Sequence, residues 1–342
     1  MAYPYFARGL GSQSAAADTI DTLDRGRAED PAGYRPHPDL SHAVNVALVL
    51  GMPLLVTGDP GTGKTQLAYA IAAELRSTVL KFETKSSSQA KDLFYTFDAL
   101  SAFKAPAGTE LRSFIRYQAL GLAILEAFDG ANEQVAALWP PGQPHAGPRR
   151  SIVLIDEIDK APRDFPNDLL NEIDRLYFRV PELQNAGSPG ADAKDGERDA
   201  AGVPARYRPI VVMTSNSEKG LPDAFLRRCV YFDIPFPTAE ELKDIVDSRV
   251  AGLDGGSALT RDALDIFQKL RGSDRTISLK KKPSTAELLN WLQMLVHRGV
   301  RPGDRLAQHR TIVAETLCAL VKSADDQRVA RSYVLDRWGK QG

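Results

Sequence analysis

A chain of 342 residues with 43% hydrophobic content exceeds what a single core usually organises, so one large and one small domain are expected. A net charge of −1 and a pI near 6.5 exclude a global basic field, so binding to nucleic acid or an anionic membrane would need a local patch. The two cysteines, Cys229 and Cys318, lie in apolar settings without metal-ligand spacing. That excludes a disulfide framework and points to a reducing compartment, with cytoplasm as the default; no apolar run approaches a membrane span, and the first residues lack a signal-peptide layout.

Residues 1 to 35 are rich in Ala, Gly, Ser, Asp and Arg without a sustained apolar face, the pattern of an arm or linker. From Pro38, the residues Leu40, Ala43, Val44, Ala47 and Leu48 recur at helical spacing, with Asp39 or Ser41 as the expected cap. This helix feeds a short apolar strand, Leu54 to Val56, then a glycine-rich loop, then a helix from Thr65 with Leu67, Ala68, Ile71, Ala72 and Leu75 on its apolar face.

Gly58, Gly63, Lys64 and Thr65 fit the phosphate-loop pattern G-x-x-x-x-G-K-[ST], with Asp59, Pro60, Gly61 and Thr62 in the variable places. The residue types follow from the task. A backbone that wraps phosphate oxygens with its N–H groups needs glycine where it comes closest or turns with positive φ, which assigns Gly58, Gly61 and Gly63. The helix adds its unpaired N-terminal N–H groups, Lys64 neutralises phosphate oxygens, and the Thr65 hydroxyl is the magnesium ligand expected of ATP·Mg2+.

A strand is expected over 78 to 83, followed by a polar run to Gln89. Residues 92 to 128 break the α/β rhythm with the aromatic-rich LFYTFDALSAF and a helically spaced stretch from Glu110 to Phe128. They read either as core or as a hairpin-like insertion that forms a working surface. Residues 136 to 150 are a proline-rich loop in which Trp139 is a candidate for exposure.

The next signal is SIVLIDEIDK, residues 151 to 160. Ile152 to Ile155 form a strand buried on both faces that delivers Asp156 and Glu157 at its C-terminal end, where parallel sheets place their ligands. Asp156 suits the magnesium shell beside Thr65, and Glu157 suits a general base that polarises water. A helix follows with Leu169, Leu170, Ile173 and Leu176 inward, and residues 184 to 206, nearly devoid of large apolar side chains, read as a mobile surface loop.

The strand over 208 to 213 ends in Thr214, Ser215 and Asn216. Asn216 either orients water or γ-phosphate or is a simple turn residue. The turn LPDAFLRRC places Arg227 and Arg228 before a strand over 230 to 234. The two arginines are a solvated pair, or one projects to the γ-phosphate held by a neighbouring subunit. From Thr238 the pattern is helical only, with helices to Val250, over 260 to 270, 284 to 298 and 310 to 321. Lys280, Lys281 and Lys282, before a helix start, are a solvated run or a phosphate contact.

Taken in order, these motifs resemble an AAA+ ATPase over about residues 35 to 322. GDPGTGKT resembles the Walker A motif, IVLIDEIDK the Walker B motif, and TSN sensor 1, with Asn216 as the sensing residue. The resemblance implies a P-loop NTPase fold, an α/β parallel sheet flanked by helices over 36 to 236, with a small all-α lid over 237 to 342. LPDAFLRRC is similar to the LPEAxLDRF segment of MoxR-like members, which puts the arginine finger on Arg228, with Arg227 second. The position of the 92 to 128 insertion and the strand-loop PLLVTGDPGTGKT are similar to that branch too. One departure is the lid sequence KKPSTAELL, which lacks the sensor-2 arginine of the branch and leaves Lys281 or Lys282 as substitutes.

The resemblance further implies ATP and Mg2+ as ligands, a homo-oligomeric ring, a hexamer by expectation, and a partner with a von Willebrand factor A domain. The activity so implied is ATP hydrolysis coupled to remodelling or maturation of client proteins. An assembly switch with little turnover is the alternative; Glu157 and the arginine pair weigh against it, because a switch needs neither a base nor a finger. A nucleic-acid motor is disfavoured by the mild acidity.

Overall fold

The computed structural model describes residues 31–184, 186–189, 191, 203–217, 220–272 and 277–338. The expected arm over 1 to 35 therefore lies almost wholly outside the described residues. The chain divides into two compact units, one comprising Pro36–Asp59 and Gly63–Pro235, the other built chiefly on the segment from Phe236 onward.

The first unit opens with α1 (Pro38–Leu50). His37, rather than Asp39 or Ser41, caps it: the imidazole Nδ1 accepts the Asp39 N–H, and Pro38 occupies the first helical position, where a missing N–H costs nothing. The central sheet comprises β1 (Leu54–Gly58), β2 (Val79–Glu83), β5 (Ile152–Asp156), β8 (Ile210–Thr214) and β9 (Val230–Ile234), in the order β2-β5-β8-β1-β9 with every pairing parallel. Helices flank the sheet, so the inner strands are covered and read as continuous apolar runs; Ile152, Val153, Leu154 and Ile155 are all fully buried.

Registers Val56↔Thr214 and Glu83↔Asp156 bring the C-terminal ends of four strands to one edge of the sheet. The helix after the phosphate loop, α2 (Lys64–Glu74), buries Leu67, Ala68, Ile71 and Ala72. Leu75, expected on that face, lies past the helix end and is exposed, because the chain turns there through Arg76 at φ 50°.

Residues 92 to 128 join a hairpin to a packed base. β3 (Tyr95–Phe97) and β4 (Ile115–Tyr117) form an antiparallel hairpin whose tip carries a short helix, α3 (Ala99–Lys104), and α4 (Ala119–Glu126) follows. The helical spacing from Glu110 is thus misleading: only Ala119–Glu126 is α-helix, since Ile115 alternates with its neighbours in a strand. The base is core, with Phe94 stacked on Phe178 at 5.3 Å between centroids, whereas Leu100 and Phe103 at the tip are exposed.

The segment around Trp139 holds an unforeseen helix, α5 (Glu133–Leu138). Trp139 is half-buried, packs on the core, and donates from Nε1 to Gln143 O at 3.0 Å. Next, α6 (Phe165–Arg175) buries Leu169 and Ile173, with Leu176 buried just beyond its end; β6 (Arg179–Val180) then pairs with β7 (Ala186–Gly187). The loop expected from 184 therefore begins as a strand, and Ser188 is fully buried with its hydroxyl accepting the Phe178 N–H. The loop residues 192 to 202 lie outside the described residues.

The second unit contains α8 (Ala239–Arg249), α9 (Ala258–Leu270), α10 (Thr285–His297), α11 (Arg310–Leu320) and α12 (Ala324–Ser332), numbered after the short α7 (Asp223–Leu226) of the first unit. Thr238 with Glu241, and Ser284 with Glu287, close reciprocal capping boxes at the starts of α8 and α10. Trp291 is fully buried and donates to Thr316 Oγ1 at 3.0 Å. Cys229 is buried and Cys318, despite its apolar sequence setting, is exposed. Among the described residues no helix is long and apolar enough to cross a membrane.

Candidate nucleotide and metal site

The site grows from the C-terminal edge of the sheet. After β1 the backbone takes positive φ at Gly58 (139°), Gly61 (81°) and Gly63 (90°), angles an L side chain rarely adopts. Lys64 opens α2 and is buried, with its ammonium donating to Gly58 O at 2.8 Å and Asp59 O at 3.1 Å. The cation thus faces the carbonyls of its own loop. Burial pushes the Lys64 amine below its ordinary value, opposed by the charges of Asp159, Asp59, Asp156 and Glu157.

Asp156, at the end of β5, is where the donors converge. Its Oδ1 accepts the Thr65 hydroxyl at 2.9 Å and the Thr214 hydroxyl at 2.6 Å, and its Oδ2 lies 3.1 Å from Lys81 Nζ. Burial works against the Asp156 charge, but hydrogen bonds from Thr214, Lys81 and Thr65 outweigh it and hold the carboxyl below the ordinary aspartate range.

Glu157 takes the left-handed conformation, φ 57° and ψ 53°, which a non-glycine residue adopts only when its surroundings hold it there. Its backbone N–H donates to Thr214 Oγ1 at 2.8 Å, and its carboxylate pairs with Lys160. Asn216 lies just beyond β8 with an exposed side chain, and its backbone N–H donates to Asp159 Oδ1 at 3.3 Å. Arg227 and Arg228 follow α7 and are exposed. Lys282 is exposed in the helical unit, where Asp326 accepts the backbone N–H groups of Lys280 and Lys281.

The sheet therefore brings Gly58, Lys64, Thr65, Asp156 and Glu157 together. Asn216 joins this neighbourhood through its backbone at Asp159, whereas Arg227 and Arg228 sit at the end of α7 and Lys282 belongs to the other unit. Two members escaped sequence reasoning: Thr214, visible only as part of a polar strand tip, and Lys81, two residues before the end of β2. Their role depends on which strand lies beside β5, and the signal for Lys81 was a long cation two residues before the C-terminal end of an edge strand that buries only Phe82.

The donor set suits magnesium. Among the described residues no three His, Cys, Asp or Glu side chains form a ready-made metal cage, and Mg2+ typically takes one or two protein oxygens and completes its shell with phosphate and water. Thr65 and Asp156 offer that pair beside the phosphate loop.

Residues 54–237, more than half of the chain, match the model of the ATPase family associated with various cellular activities (AAA). Among curated proteins none matches. Similar solved structures include the Thermotoga maritima RuvB Holliday junction branch migration motor, 18% identical with a TM-score of 0.43, covering 84% of this chain and 69% of that one. A variant of Thermotoga maritima RuvB is 17% identical with a TM-score of 0.44, again covering 84% of this chain and 69% of that one. The FIGL-1 AAA domain in complex with ADP is 15% identical with a TM-score of 0.43, covering 86% of this chain and 85% of that one.

Proposed function

The chain belongs to the ATPase family associated with various cellular activities, and on that premise we propose that it binds and hydrolyses ATP with Mg2+ in a homo-oligomeric, hexameric ring of the MoxR-like type, remodelling or maturing client proteins. The observation that carries the catalytic part is the convergence of the Thr65 and Thr214 hydroxyls on Asp156 beside Lys64 and the glycine cradle. The MoxR-like assignment, with its von Willebrand factor A domain partner, rests on the motif resemblance, chiefly LPDAFLRRC and the insertion over 92 to 128.

In this reading the loop from Gly58 to Gly63 wraps the phosphates with backbone N–H groups, Lys64 holds the β- and γ-oxygens, and Thr65 and Asp156 hold the metal. When bound there, magnesium would supply charge neutralisation to the phosphate oxygens. Glu157 takes a proton from water as its oxygen bonds to the γ-phosphorus, and the bond from phosphorus to the β–γ bridging oxygen breaks to leave ADP and phosphate. Asn216 orients that water, and Arg228 of the neighbouring subunit, with Arg227 as its substitute, stabilises the charge on the transferring group. Lys282 stands in for the sensor-2 arginine.

The Glu157–Lys160 ion pair favours a second reading, a nucleotide-dependent assembly switch with little turnover, because the base is engaged by a cation. Glu157→Gln separates the two. Under the hydrolytic reading it retains ATP binding and loses turnover by about a hundredfold; equal, low turnover in both proteins, with ATP-dependent ring formation intact, establishes the switch.

A further inference from the structure

Lys81 bridges two carboxylates that the sheet register forces together. β2 and β5 pair with Glu83 directly opposite Asp156, and like charges so placed are unfavourable. Lys81, two residues earlier on the same strand, shares the face of Glu83. Its ammonium donates to Glu83 Oε1 at 2.8 Å and lies 3.1 Å from Asp156 Oδ2. Oδ1 of the same carboxylate receives the Thr65 and Thr214 hydroxyls. One oxygen of Asp156 thus belongs to the phosphate-loop side and the other to the lysine.

The consequence is a matter of charge. Asp156 and Glu83 together bring two negative charges and Lys81 removes one, so these three groups by themselves present a net single negative charge to a divalent cation arriving at Asp156. Glu83 has a side chain 71% exposed and is a hard oxygen ligand one strand away, which the lysine keeps engaged. We propose that Lys81 and Glu83 act as opposed positioning residues that set the divalent-cation affinity of Asp156, Lys81 weakening it and Glu83 strengthening it, so that metal is held together with nucleotide phosphate rather than alone. This rests on the reading of Thr65 and Asp156 as the magnesium site.

The test is a binding measurement on the full chain. The affinity of a fluorescent ADP analogue is titrated in EDTA and in Mg2+ sufficient to load the nucleotide but not the empty site, and the ratio of the two reports what the Asp156 site contributes to holding the metal, independently of turnover. Lys81→Met should raise that ratio roughly tenfold, and Glu83→Gln should lower it several-fold, as expected for adding or removing one unit charge next to a divalent ion in a half-exposed site. Glu83 is exposed enough that its substitution leaves the fold intact. Asp156→Asn serves as the reference and should bring the ratio close to one. Unchanged ratios in Lys81→Met and Glu83→Gln, or shifts in the same direction, with Asp156→Asn still collapsing the ratio, overturn the inference and leave the metal reading standing. A ratio that Asp156→Asn does not alter overturns both.

Discussion

The Thr214 hydroxyl donates to Asp156 Oδ1 at 2.6 Å while accepting the Glu157 backbone N–H at 2.8 Å. One side chain on β8 therefore holds both acidic residues at the end of β5, fixing the carboxylate of the first and the left-handed backbone of the second. Thr214→Val keeps the shape and removes the hydroxyl. It is expected to lower ATP turnover about tenfold, the value of one hydrogen bond of about 1.4 kcal/mol, with nucleotide affinity in EDTA essentially unchanged. Thr214→Ser should restore most of the rate, and the comparison of the three steady-state rates checks it.

The shared-site reading of Arg228 is tested by mixing. Lys64→Ala is expected to abolish nucleotide binding in its own subunit, and Arg228→Ala to lower turnover at least tenfold, by analogy with arginines that stabilise phosphoryl transfer. Mixed in equal amounts, the two variants should recover measurable activity, because some interfaces then pair an intact loop with an intact arginine. Absence of recovery at every ratio, with oligomers demonstrably mixed, removes Arg228 from a trans role; repeating the mixture with Arg227→Ala identifies the second candidate.

A packing prediction concerns the base of the hairpin insertion. A Cβ added at Gly121 would lie 2.0 Å from Phe94 O, the same carbonyl that accepts the Gln118 N–H at 2.8 Å. Neither atom can withdraw without breaking backbone pairing at the start of α4. Gly121→Ala should therefore destabilise the first unit by about 1–3 kcal/mol or more, read as a lower urea midpoint. Gly303→Ala, where a Cβ meets nothing within 4 Å, should leave the midpoint in place.

Asp326 gives a pH dependence with a definite sign. Backbone N–H groups of Lys280 and Lys281 and the Ser323 hydrogen bond hold its carboxyl below the ordinary value, although burial opposes this. A depressed folded-state pKa means the contribution is present above the unfolded value of about 3.9 and fades as pH falls through the folded value. Asp326→Asn should accordingly be less stable than the parent at pH 7, and the gap should close in strongly acidic solution; urea unfolding at neutral pH and in strong acid measures both.

Much of the site was legible because phosphate binding constrains consecutive residues. Gly58, Gly61, Gly63, Lys64 and Thr65 are one loop and one helix start, so backbone sterics and charge fix their identities locally, and the positive φ values follow. The parallel strands were legible for a similar reason, since burial on both faces leaves an apolar run such as Ile152 to Ile155. Misreadings fell where local pattern and tertiary setting part. Helical spacing from Glu110 yields to a hairpin because Tyr95 pairs with Tyr117, and Leu75 is apolar yet exposed because the chain turns before it can pack. The closing helix α12 carries a polar composition that no apolar stripe announces.

The sequence by itself determined a glycine-rich phosphate-loop pattern between strand and helix and two acidic residues at the end of a buried strand. Which atoms those carboxylates meet was decided only by the order β2-β5-β8-β1-β9, which sets Glu83 and Lys81 on one side of Asp156 and Thr214 on the other. Thr214 lies 58 positions from Asp156 in the chain, and Lys81 and Glu83 lie farther still, so spacing carries no information about these contacts. Hydrogen bonds and ion pairs act over a few ångströms, and their geometry exists only once the sheet has placed its strands side by side.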